Sequence, residues 1–139
     1  MRKEPVLSMS LPARLDEVER LTGWLRTITA SVLQEEDFIL LEIGVVELVN
    51  NIIEHAFENL SGSIEVGCVL DGKRVTLHFS DAGLAMPDGI QERYDNATDD
   101  VALDATSGRG LGIIKRCFEQ VQFYRADGLN RISATYVPG

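Results

Sequence analysis

The stretch Glu47-Leu-Val-Asn-Asn-Ile-Ile-Glu-His-Ala-Phe57 decides how this chain is read, because it belongs to an amphipathic helix and also carries a row of polar groups. Phe38, Leu41, Val45, Leu48, Val49, Ile52 and Ala56 recur at helical spacing and predict a helix with one apolar stripe, ended by Asn59 and Gly62. Glu47, Asn51, Glu54 and Glu58 fall on the opposite side. At about 100° per residue, Glu47, Asn51 and His55 lie within a quarter-turn of one another, while Asn50 points away from the first two. The row reads either as a solvated helix face or as a working site.

Outward from that helix, residues 4–10 read as a short strand, with Pro5 suggesting an edge or a strand start. Residues 11–32 carry Leu15, Val18, Leu21, Trp24, Leu25 and Ile28 at helical recurrence, behind Ser10 and Pro12 as start signals. Residues 63–70 and 73–80 are rich in β-branched and apolar side chains and predict an antiparallel hairpin around Asp71-Gly72. From 81 to 108 the pattern dissolves into Gly, Asp, Asn, Thr and Ala, a connection far longer than usual and suited to a lid. Helical spacing resumes over 111–118, and 121–124 and 131–137 read as two last strands around Asp127-Gly128. This order implies an α+β two-layer sandwich: helices on one face of a mostly antiparallel mixed sheet, with the long loop off one edge.

The chain has 139 residues, the size of one domain that can bury a core without disulfides or a structural metal, so residues 1–139 are read as a single unit. Its net charge of −9 argues against a grip on nucleic-acid phosphates and favours a basic protein partner. Cys68 and Cys117 lack zinc-site spacing and read as buried thiols in a reducing compartment. Neither a signal-peptide run nor a membrane-length apolar run occurs, which points to a cytoplasmic protein with no membrane attachment.

Three places can carry chemistry. Glu47 can serve as a general base toward a hydroxyl or water, and the amide oxygen of Asn51 is a hard, neutral ligand suited to Mg²⁺ beside phosphates. Asp81-Ala-Gly83 closes an apolar strand; an Asp there is either a turn residue or an acceptor for a purine amino group, with Gly83 admitting a flat base. Ser107-Gly-Arg-Gly-Leu-Gly112 opens a helix. Its glycines are either a flexible joint or a phosphate cradle of backbone amides at the positive end of a helix dipole.

Taken together and in this order, the three resemble the GHKL family of ATP-binding domains, which includes histidine kinase catalytic domains, gyrase-type ATPases and the serine kinases that act as anti-sigma factors. Glu47 to Asn51 with Glu54-His-Ala-Phe57 looks like the N box, Asp81-Ala-Gly83 like the first glycine box, and Gly108-Arg-Gly-Leu-Gly112 like the second. The resemblance spans essentially the whole chain and is closest to the anti-sigma serine kinases, stand-alone domains of about this length whose N box reads Glu-x-x-x-Asn followed by Glu-His-Ala and an aromatic. It implies the Bergerat fold and ATP with Mg²⁺ as cofactors. Glu47 would be the catalytic base and Asn51 the Mg²⁺ ligand. Asp81 and Gly83 would hold adenine, while Gly108, Arg109, Gly110, Leu111 and Gly112 would surround the phosphates. His55 would be a neighbour of the site rather than a phosphoacceptor.

The function this implies is a protein-serine kinase that sequesters a sigma factor and phosphorylates a STAS-domain anti-anti-sigma antagonist, working as a homodimer. The alternative is a nucleotide-gated binding module of the same fold with little or no kinase turnover. A histidine kinase's catalytic half would need a dimerisation segment bearing a phosphoacceptor histidine, and the chain's two histidines sit in the N box and in a strand. Two positions depart from the family pattern: Ala85 stands where the first glycine box has its second Gly, and Asn130-Arg131 stands where relatives often carry Gly-Thr near the base. No adenine contact is carried over to that last segment.

Overall fold

The computed structural model describes residues 6–58, 61–97 and 109–139, with only the backbone of Arg109. Five strands, β1 (Val6–Pro12), β2 (Ser63–Asp71), β3 (Arg74–Asp81), β4 (Gln120–Ala126) and β5 (Leu129–Tyr136), form one sheet in the order β1-β2-β3-β5-β4. All four pairings are antiparallel. Alternation along the strands sends Ile64, Val66 and Cys68 of β2, Val75, Leu77 and Phe79 of β3, and Ile132, Ala134 and Tyr136 of β5 to one buried face. Among the described residues, four helices cover that face: α1 (Val18–Thr29), α2 (Glu35–Asn51), α3 (Ile90–Asn96) and α4 (Arg109–Cys117). Their apolar sides join the strands in one core, so the two-layer α+β sandwich expected from element order is the fold.

The helix stripe from Phe38 to Ala56 is buried at every predicted position. Glu35, Glu36 and Asp37 place negative charge in its first turn, where the helix dipole favours it. The Tyr136 hydroxyl donates to Asp37 Oδ1 at 2.7 Å, tying the end of β5 to the start of α2. Against α4, the backbone of α2 approaches closely at Gly44, where an added Cβ would lie 2.5 Å from Phe118 Cε2.

Several boundaries differ from the sequence reading. The first strand runs to Pro12, and the helix behind it begins only at Val18 after a 3₁₀ turn, Leu15–Glu17. Leu11 and Pro12 continue the register with Ile64 and Ser63, so pairing outweighs the local start signal. The β2–β3 turn is Gly72-Lys73, one residue later than expected, because Asp71 still pairs with Arg74. At the β4–β5 turn the prediction and the structure agree: Asp127 (φ 56°) and Gly128 (φ 76°) both take positive φ, the requirement of a type I′ hairpin.

The connection read as one long loop contains α3, whose Tyr94 is buried and meets Phe123 edge-on at 5.5 Å. Gln91 of α3 also caps the outer edge of β4. Its Nε2 donates to Val121 O (3.1 Å), and its Oε1 accepts from Phe123 N (2.7 Å), so one side-chain amide satisfies two edge groups as a neighbouring strand would.

Candidate functional site

The polar row on α2 does not lie in open solvent. Glu47 and Asn51 are half-buried beneath the first turn of α4. A Cβ placed on Gly110 would sit 3.3 Å from Glu47 Oε2 and 3.4 Å from Asn51 Nδ2, so the start of α4 lies directly over both side chains. The first-turn amides of a helix have no helical acceptor and carry the positive end of its dipole, and here they open beside a carboxylate and an amide. Leu111 directs its side chain into the core, which leaves its backbone amide as the group available to a ligand, and Gly112 is buried further along the helix. Gly108 lies outside the described residues, as does the side chain of Arg109.

Immediately after Asn51 the helix widens into a π turn, Ile52–Ala56. Such turns recur at functional sites; this one shows where the first and second motifs meet. The Ala56 carbonyl accepts from Leu84 N at 2.8 Å, and a Cβ on Gly83 would stand only 2.5 Å from the same oxygen. The loop after β3 is thus pressed backbone to backbone on the end of the α2 helix, and any side chain at 83 would force the loop away from it. His55 lies on this turn and is exposed.

Asp81 ends β3 and is 4% exposed. Its Oδ1 accepts from Gly83 N and from Asn130 Nδ2, both at 2.9 Å. No described residue donates to Oδ2. Asn130, only 1% exposed, pairs with Asp81 across β3 and β5. Its second amide hydrogen goes to Leu84 O (2.8 Å), and its oxygen accepts from Arg125 Nη1 (2.8 Å) and Met86 N (3.2 Å). Arg125 also reaches Gly83 O and Gly128 O, each at 3.3 Å.

The fold therefore brings Glu47, Asn51 and Gly110 into one cluster, and joins it through Ala56 to Gly83 and Asp81. Asn130 and Arg125 are additions to the predicted set. The sequence signal for Asn130 was a polar residue at an inward position of an otherwise apolar strand, since it shares the face of Ile132, Ala134 and Tyr136. Among the described residues no three His, Cys, Asp or Glu side chains cluster as a metal cage. A carboxylate and an amide oxygen beside the first-turn amides of α4 fit Mg²⁺, which takes one or two protein ligands and completes its shell with phosphate oxygens and water. A cavity of about 760 Å³ between α3, α4 and β4 is lined by Tyr94, Lys115, Phe118 and Gln122 among others, none of them in these motifs. Among the described residues, no helix is long and apolar enough to cross a membrane.

Comparison with known proteins gives a consistent picture. The family model of the histidine kinase-like ATPase domain matches residues 11–136. No curated protein matches the chain. Among solved structures, the RsbU and RsbW domains of Rv1364c from Mycobacterium tuberculosis superimpose with a TM-score of 0.64 at 18% identity, a likeness of fold. That match covers 95% of this chain and 32% of the other, so the chain spans about a third of that protein's length.

Proposed function

The chain belongs to the histidine kinase-like ATPase domain family, which implies ATP binding, and from that premise we propose that it is a protein-serine kinase and anti-sigma factor that uses Mg-ATP. The observation that carries the reading is the seating of Glu47 and Asn51 under the glycine-opened start of α4. Phosphoryl transfer needs little covalent help from the protein. It needs the terminal phosphate held in place, its charge neutralised and a base at the attacking hydroxyl. The first-turn amides of α4 would hold phosphate oxygens, with Arg109 beside them. Asn51 would hold Mg²⁺, which when bound neutralises charge on those oxygens. Glu47 would take the proton of the incoming serine hydroxyl. Asp81 would accept the amino group of adenine, with the base lying against Gly83.

The partners follow from the resemblance of the N box to the anti-sigma serine kinases. A sigma factor would be held in the ATP state, and a STAS-domain antagonist would be the phosphoacceptor, with the kinase acting as a homodimer in the cytoplasm. The acidic balance of the chain, −9, suits a partly basic partner.

The test is capture by the tagged protein from lysate of its own cells, in Mg-ATP and in Mg-ADP, with bound proteins and phosphoserines identified by mass spectrometry. The expected result is a sigma factor retained mainly in ATP, and a STAS protein phosphorylated on serine by the parent and not by Glu47→Gln. If Glu47→Gln phosphorylates as well as the parent, the kinase assignment to this site is wrong. Nucleotide-dependent capture without phosphorylation would instead identify a nucleotide-gated binding module.

A further inference from the structure

We propose that Asn130 and Arg125 form a lock that holds Asp81 in place, offers no free donor beside it, and so sets the site's preference for adenine over guanine. The inference rests on the reading of Asp81 as the base contact. Adenine presents an amino donor at its 6 position, whereas guanine presents a carbonyl acceptor there. An asparagine beside a purine could serve either, since its amide has an acceptor end and a donor end that exchange by a half-turn of the side chain. Here that turn is blocked. The oxygen end faces Arg125 Nη1 and Met86 N, which can only donate, and the nitrogen end faces the Asp81 carboxylate and Leu84 O, which can only accept. Reversing the amide would set four pairs of like groups against each other inside a site almost closed to water.

Two consequences follow for the base. Both amide hydrogens of Asn130 are used, so none is free to meet the carbonyl of guanine. Asp81 Oδ1 is saturated by Gly83 N and Asn130 Nδ2, which leaves Oδ2 as the acceptor for an incoming amino group. A guanine carbonyl would face that oxygen lone pair to lone pair. Arg125 and Asn130 are positioning residues, because they act on the base through Asp81. Arg125 is the outermost member, exposed on β4, and the one whose removal spares the core.

The experiment measures dissociation constants for ATP and GTP with the full chain, with thermal unfolding to confirm that each variant is folded. Arg125→Met removes the shorter of the two donor contacts to the amide oxygen, 2.8 Å against 3.2 Å from Met86 N, and the ATP-to-GTP preference is expected to fall by roughly tenfold or more, with Arg125→Lys restoring most of it. An unchanged ATP-to-GTP ratio in folded Arg125→Met overturns the lock, provided that Asp81→Asn loses ATP. If Asp81→Asn binds ATP like the parent, the base contact itself is misassigned and the lock falls with it.

Discussion

Gly83→Ala probes the junction on which the site depends. The added Cβ would lie 2.5 Å from Ala56 O, 2.8 Å from Ala56 Cβ and 2.9 Å from Ala56 C. Ordinary van der Waals contact begins near 3.4 Å, so the loop must lift by about 0.9 Å from a wall that is backbone and cannot swing aside. That shift breaks the 2.8 Å bond from Leu84 N to Ala56 O, worth about 1 kcal/mol net, and leaves residual crowding worth about 1–2 kcal/mol. Because Gly83 N also holds Asp81 Oδ1, the carboxylate moves with the loop, and ATP affinity is expected to fall by about tenfold to a hundredfold. Gly23→Ala is the matched control, since this exposed glycine in α1 has nothing within 4 Å of a new Cβ. There the same change should stabilise the protein by about 0.5–1 kcal/mol and leave ATP binding alone. Urea unfolding and calorimetric titration of both variants decide the matter. A Gly83→Ala protein within about 0.5 kcal/mol of the parent, binding ATP within about twofold, would refute the claim that backbone contact between these motifs shapes the site.

Two further outcomes bear on the scaffold. Tyr136→Phe removes the hydroxyl that donates to Asp37 and should cost about 1–2 kcal/mol in urea unfolding, with no change in ATP affinity beyond what altered stability explains. Burial, aided by the negative charge of Asp95, pushes the Tyr94 phenol up from 10.0 to about 12. Below pH 10 folded and unfolded chains both keep that proton; above it the unfolded chain loses the proton first, so stability falls by about 1.4 kcal/mol per pH unit until about pH 12. Burial likewise raises the Cys68 thiol from 9.0 to about 11, and its contribution begins to be lost above pH 9. In Tyr94→Phe the decline between pH 10 and 12 should shrink by about 2–3 kcal/mol, and an unchanged pH profile would rule out the buried phenol as its source.

What the sequence determined by itself is local or periodic. The stripe from Phe38 to Ala56 specifies a one-sided helix wherever it packs, and Asp127-Gly128 suits a type I′ turn because such residues accept two positive φ values in succession, although the same dipeptide at 71–72 sits one residue ahead of its turn. The three polar motifs could likewise be read from spacing and chemistry. Two features defeated that reading for a local reason: α3 is barely two turns long, with Ile90 and Tyr94 as its main apolar signal, and the π turn depends on what the end of α2 must meet.

Other features were decided by pairing between distant parts of the chain. Glu47 and Asn51 look like any solvated face until α4 lies over them, with Gly110 against both side chains. Asn130 reaches Asp81, 49 residues earlier, only because β5 pairs with β3 in one register. Gln91 acts as a strand only because β4 ends the sheet. Helical and strand periods report which way a side chain points along its own element. What it points at depends on which elements the burial of their apolar faces brings together, and that is settled by the packed core.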